Sequence, residues 1–288
     1  MATDDMATGG SAGTRRTGML VLAGILVVGF AAWWFLVRSD APPAPDLASA
    51  VETAAAAQQP AATATPSTEA PAATASLTTV APTTGALTTV APTTAVPTTV
   101  EPPGPSGTWT VDLDIGSFHD FSSTWVGYRI DEELGRGIGA ATAVGRTPLV
   151  TGTVVLADDA VVSAEITADL RGLKSDRIYR DGKVFDVLHV DRHPEAVFVL
   201  DGPLPLVAGI TEAAATMPGV LIVNGVAVAV DATLEATLVG DVLTVVGSLP
   251  VVLADHGVDA PSAPIVISVA DHGVVEFQLF LTRVAATG

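Results

Sequence analysis

The sequence predicts an all-β, antiparallel domain, a β-barrel or sandwich, in the C-terminal part of the chain. Three observations carry this reading. Val226, Val228, Val230, Ala232, Leu234, Ala236 and Leu238 occupy every second position, the period that sends alternate side chains to one face of a strand. Gly240 and Asp241 then give a two-residue hairpin signal, and residues 242–249 return as a second strand. The alternation is also long for a strand of an ordinary open sheet. Long antiparallel strands with one apolar face suit a sheet that curls around that face.

The chain has 288 residues, and its first third is not of this kind. Residues 1–17 are small and polar, a tail expected on the cytoplasmic side. Residues 18–37 form an uncharged apolar run, long enough for a helix to cross a hydrocarbon core of about 30 Å. Arg15 and Arg16 precede it and Arg38 follows, a balance that favours an inside amino terminus. Trp33 and Trp34 sit near the far end, where indoles favour the membrane interface. The rival is a cleaved signal peptide, but no small-x-small site follows the run. The expectation is a single-pass anchor in the cell membrane with everything after it extracytoplasmic.

Residues 38–106 are rich in Ala, Pro and Thr, and LTTVAPTT occurs at 77–84 and again at 87–94. A Pro-rich repeat this short has no core of its own and reads as a disordered, semi-rigid stalk. Its Thr and Pro content suits O-glycosylation. The expected role is to carry the following domain away from the bilayer.

Residues 107–288 are long enough for one domain with a substantial core. Trp109, Val111 and Leu113 alternate as a first strand; Val126, Tyr128 and Ile130 make another. The run Gly135, Gly137, Gly139 has Ala140 where a phosphate-binding loop has its third glycine and no good following helix, and is expected to be a plain flexible loop. Residues 151–156 and 161–170 read as a hairpin. Arg171, Lys174, Arg177, Arg180 and Lys183 recur every third residue. With Ile178, Val184, Val187 and Leu188 they suggest a short helix whose charges are either simply solvated or form a cationic rim for an anionic head group. Residues 196–200 form a strand, and 211–217 are expected to make one helical turn ending at Pro218. Residues 265–269 and 274–284 close the domain as two strands.

Several chemistries are excluded or unsupported. There is no Cys, so no disulfide, thiolate metal site or cysteine nucleophile exists. A net charge of −18 argues against nucleic acid as a partner. His189 and His193 lack the intervening Glu of a zinc-protease helix. Asp255-His256-Gly257 and Asp271-His272-Gly273 read as turns rather than metal ligands. No nucleophile elbow is present. No cofactor is expected, and the chain is read as a non-enzyme.

A set of short motifs adds to this. They are GTWTVD at 107–112, GYRIDEEL at 127–134, TAVGRT at 142–147, and the pattern Leu173, Ser175, Asp176, Arg180, Asp181. HPEAVF at 193–198, VNGV at 223–226 and VGSLPVVLADHGVDAPSAP at 246–264 follow in order. Together they resemble the YceI-like family over residues 107–283, most closely its membrane-anchored actinobacterial type. The resemblance implies a lipocalin-like antiparallel β-barrel with a short helical insertion near one mouth, and binding of a polyisoprenoid or similar long lipid in an apolar tunnel. The residues expected to line it are Val126, Tyr128, Ile130, Val154, Leu156, Ile166, Leu170, Phe198, Val228, Val230 and Leu234, with Arg177 and Arg180 near the head group. The alternative is a structural or interaction module whose barrel is filled by its own side chains.

Overall fold

The structure, a computed structural model, describes residues 41–59, 104–262 and 264–284. The expected membrane helix at 18–37 and the repeats at 77–94 lie outside the described residues.

The strands are β1 (Gly107–Asp112), β2 (Trp125–Leu134), β3 (Gly139–Thr147), β4 (Val150–Leu156), β5 (Ala160–Asp169), β6 (Lys174–Ser175), β7 (Glu195–Leu200), β8 (Leu204–Pro205), β9 (Glu212–Val223), β10 (Val226–Val239), β11 (Val242–Val252) and β12 (Val266–Arg283). Eight of them, β1-β4-β5-β7-β9-β10-β11-β12, form a ring that closes where β12 pairs with β1. Every pairing is antiparallel. Closure leaves no free edge in this ring. The long β12 gives its last residues to β1 and its earlier ones to β2, so β2 and β3 continue the wall. One end of the barrel carries the β10–β11 turn at Gly240 and Asp241. The opposite end carries helix α2 (Ile178–Val187) and a 3-10 turn at Leu253–His256. We call these the hairpin end and the helix end.

Alternation explains the ring. Along β10, Ala232 is buried while Asp231 and Thr233 are exposed, so the even positions face inward. At the helix end Asn224 and Gly225 turn β9 into β10 with φ of 52° and 74°, a left-handed pair that Asn-Gly adopts readily.

Four expectations are corrected. Residues 211–217 are not helical; they begin β9, paired along its length with β10. Ala213, Ala215 and Met217 face inward, and pairing overrides the helical preference of alanine. Pro218 fits because its carbonyl points toward β7 and accepts from Asp201 N–H at 3.0 Å. Its missing N–H would point to the same side, where β7 has already ended. The two expected C-terminal strands are one strand, β12, with an irregularity opposite β2 between Val269 and Gly273. Asp271-His272-Gly273 therefore lies in a strand, whereas Gly257 closes a true left-handed turn with φ of 63°.

The fourth correction concerns the stalk. Within the stretch expected to be disordered, helix α1 spans Leu47–Ala57. Asp46 caps it, accepting from Ser49 N–H at 3.0 Å, and the following residues are free of proline and rich in alanine, the best helix former. Ala50 and Ala54, four apart on one face, are 1% and 0% exposed and pack against Ile115, Val242, Val246 and Phe280 on the outside of the barrel. Gln58 donates to Val239 O at 2.7 Å and accepts from Asp241 N–H at 3.2 Å. Before the helix, Pro42 O accepts from Arg129 at 2.7 Å and Pro43 O accepts from Arg146. Arg146 is buried, with its guanidinium 3.7 Å from the Trp125 ring centroid and near Phe121 and Glu276. Burial pulls its pKa down to about 10, against the opposing effect of Glu276. Residues 41–59 thus form an ordered clasp on β2, β3, β10, β11 and β12.

Candidate functional site: an apolar tunnel

Inward-facing residues of β2, β4, β5, β7, β9, β10, β11 and β12 enclose a cavity of about 360 Å³, within the range of ligand sites. Its lining runs from Pro105, Leu204 and Leu206 at the hairpin end to Val184, Val187, Leu253, Val258 and Ile265 at the helix end. The wall is mostly Ala, Val, Leu and Ile, with Glu132, Arg180 and Lys183 toward the helix end and Thr211 and Glu212 toward the hairpin end. The barrel therefore holds open space among its side chains, unlike the filled interior expected of an interaction module.

Aromatic rings line the bore without blocking it. A Cβ placed on Gly145 would lie 2.4 Å from the Tyr128 ring, one on Gly219 2.4 Å from Phe198, and one on Gly247 2.6 Å from Phe277. Each ring lies against a glycine on a neighbouring strand, as occurs where aromatics cover strand glycines.

Val126, Tyr128, Ile130, Val154, Leu156, Ile166, Leu170, Phe198, Leu234 and Arg180 all reach the cavity. Val228 and Val230 are not among its lining residues. Val230 packs into the apolar core instead, opposite Gly219, where the Phe198 ring lies. Arg177 is also outside; it precedes α2, with Nε 3.9 Å from Asp176. Residues missed at the sequence level include Ala213, Ala215 and Met217, hidden by the helical reading. Val275, Phe277, Leu279 and Leu281 of β12 were legible as a period of two.

Polar groups gather toward the helix end. Arg180 forms ion pairs with Glu132 of β2 and with Asp176, one turn earlier. The side chains of Glu132, Asp176 and Arg180 are 5%, 5% and 12% exposed. Asp176 N–H also donates to Val144 O at 2.9 Å, tying the start of α2 to β3. The Tyr128 hydroxyl is buried without a hydrogen-bond partner among the described residues, and burial raises its pKa. Across the mouth, Asn224 Oδ1 meets His189 at 2.9 Å, and its Nδ2 donates to His256 O and Gly257 O at 3.1 and 3.3 Å. One asparagine thus joins the end of α2 to the Leu253–His256 turn. Among the described residues no cluster of His, Asp and Glu has the geometry to hold a metal ion.

A closed antiparallel barrel with an apolar bore and a helix over one end is the arrangement expected of one family, and residues 119–281 match its YceI-like domain. The chain belongs to the YceI-like family. Among solved structures, this YceI-like domain is similar to a polyisoprenoid binding domain from Saccharophagus degradans implicated in plant cell wall breakdown. That match has 14% identity, covers 61% of this chain and 98% of the other, and has a TM-score of 0.45. It is also similar to Burkholderia cenocepacia BcnA, at 20% identity over 59% of this chain and 98% of that one, with a TM-score of 0.45. No curated protein matches the chain. In the YceI-like domain described here, the tunnel is the feature that can hold a ligand.

Proposed function

We propose that the chain is a membrane-anchored, extracytoplasmic lipid-binding protein that holds a polyisoprenoid or similar long apolar chain inside the barrel, and that it is not an enzyme. The observation that carries this is the cavity itself, mostly apolar and lined from both ends of the barrel. Such a bore offers a chain-like ligand contacts and little else, and each CH₂ transferred from water favours binding by about 0.8 kcal/mol. Glu132, Arg180 and Lys183 among the lining residues support a head group at the helix end. The uncharged run at 18–37, flanked by Arg15, Arg16 and Arg38, supports the anchor and its orientation.

The test is native mass spectrometry of the full-length protein, with lipid extraction of the same sample. The expected result is a discrete added mass that extracts as a prenyl or acyl lipid. A bare protein mass that takes up no added polyprenyl lipid overturns the proposal.

A further inference from the structure

His256 lines the tunnel at the helix end and is only 3% exposed. It ends the turn Leu253–His256, and that turn is held from several sides. Gly257 N–H donates to Ala254 O at 3.0 Å, and Val258 N–H donates to Leu253 O at 3.0 Å. The His256 carbonyl accepts from Asn224. The imidazole therefore stands on a fixed piece of backbone.

Its two ring nitrogens have different surroundings. Nδ1 lies 3.3 Å from Val226 O. A carbonyl oxygen only accepts, so Nδ1 carries the hydrogen, and in the neutral imidazole Nε2 is left with a lone pair. Nothing among the described residues bonds Nε2. The Tyr128 hydroxyl and Arg146 Nε are sealed away from open space, but Nε2 is not. A fixed, buried ring at the tunnel mouth thus presents one free acceptor.

The charges near it do not favour an anion. Arg180 is engaged by Glu132 and Asp176, and Arg129 by Glu276. Lys183 is the remaining lining cation, and it is exposed. The helix end also carries exposed Asp131, Glu133, Asp186, Asp255 and Asp259, an excess of carboxylate that opposes a negative head group.

We propose that His256 reads the polar end of the ligand by accepting a hydrogen bond at Nε2, so that the tunnel selects long-chain lipids ending in a hydroxyl over the corresponding ethers and phosphate esters. This rests on the lipid-binding reading above and deepens it. A hydroxyl leaves water at small cost only where its hydrogen finds an acceptor, which His256 supplies. An ether of the same chain has no hydrogen to donate. A phosphate monoester above pH 7 brings close to two negative charges into acidic surroundings.

The test uses three probes that share one chain. Delipidated full-length protein in detergent is titrated at pH 8 with tritiated geranylgeraniol, its methyl ether or geranylgeranyl phosphate, and bound label is separated by gel filtration. The alcohol is expected to bind about tenfold more tightly than either analogue. His256→Phe keeps a ring in the turn and removes the acceptor; with circular dichroism showing an intact barrel, alcohol and ether are expected to bind it equally. A second readout needs no variant. In wild-type protein labelled with 15N-histidine, an Nε2 resonance is expected to shift with the alcohol and to stay in place with the ether. Equal binding of alcohol and ether, tighter binding of the phosphate, or an unmoved Nε2 resonance overturns the inference and leaves the carrier reading standing. A preference for the alcohol that survives in folded His256→Phe overturns the role of His256. Failure of all three probes to bind overturns the carrier reading and the inference with it.

Discussion

Arg180 on α2 is ion-paired with Glu132 on β2, 48 positions earlier, in a setting where both side chains are nearly buried. This contact, with Asp176, fixes the helix over the tunnel mouth. Replacing Arg180 with Met would leave the buried Glu132 carboxylate without this cation and Asp176 with Arg177 alone, a loss of about 3–5 kcal/mol. Urea denaturation measures it. Glu132→Gln in the same background is expected to recover part of the loss, because the stranded charge is gone.

Leu234→Trp and Val228→Trp form a matched pair. Both positions lie on β10 with the same alternation, but only Leu234 reaches the cavity. An indole at 234 occupies the bore, and co-purified lipid is expected to fall at least tenfold. At 228 it is expected to leave lipid content unchanged. Mass spectrometry with extraction checks both.

Tyr128→Phe removes a hydroxyl that is buried without a partner among the described residues. Deleting an unsatisfied buried polar group relieves its desolvation cost, so the lipid-free barrel is expected to gain about 1 kcal/mol. A stability loss would mean that the hydroxyl is bonded in solution.

Asn224→Ala breaks the joint between His189 and the carbonyls of His256 and Gly257 and places Ala at a φ of 52°. The expected cost is about 1–3 kcal/mol. Hydrogen exchange should rise first at 186–190 and 253–258, on the two sides of the mouth.

The clasp carries a pH dependence. Hydrogen bonds from the Ser49 backbone and side chain hold the Asp46 carboxyl below the usual carboxylate range. A carboxyl depressed in the folded state contributes stability above its unfolded pKa and loses it as pH falls through the folded value. Protection of residues 47–57 against hydrogen exchange is therefore expected to decline below about pH 4, near the unfolded carboxylate value. Asp46→Asn, which caps but does not titrate, is expected to lack this decline.

The β10–β11 hairpin was legible because local alternation and a two-residue turn coincide there. β9 was not: Ala213, Ala214 and Ala215 followed by Pro218 carry no local strand signal, and their pairing with β10 decides them. α1 was obscured by composition. Asp46 and the spacing of Ala50 and Ala54 are visible in the sequence, but the partner that makes them a docked helix, Phe280, lies far along the chain. Periodicity identified which side chains face inward without revealing which stretch of that face is open, hence the misplacement of Val228 and Val230. The Glu132–Arg180 contact left no mark at all, since neither residue's neighbours encode the other.

The bore owes its calibre to residues that present no side chain to a ligand. Gly145, Gly219 and Gly247 let three rings lie flat, and a single added methyl would swing a ring toward the axis. Alanine at these positions would act as a gauge set from behind the wall, narrowing the chains admitted while leaving every contact residue in place. Variation in ligand thickness among relatives would then be written in backbone glycines, which a comparison of lining side chains alone would pass over.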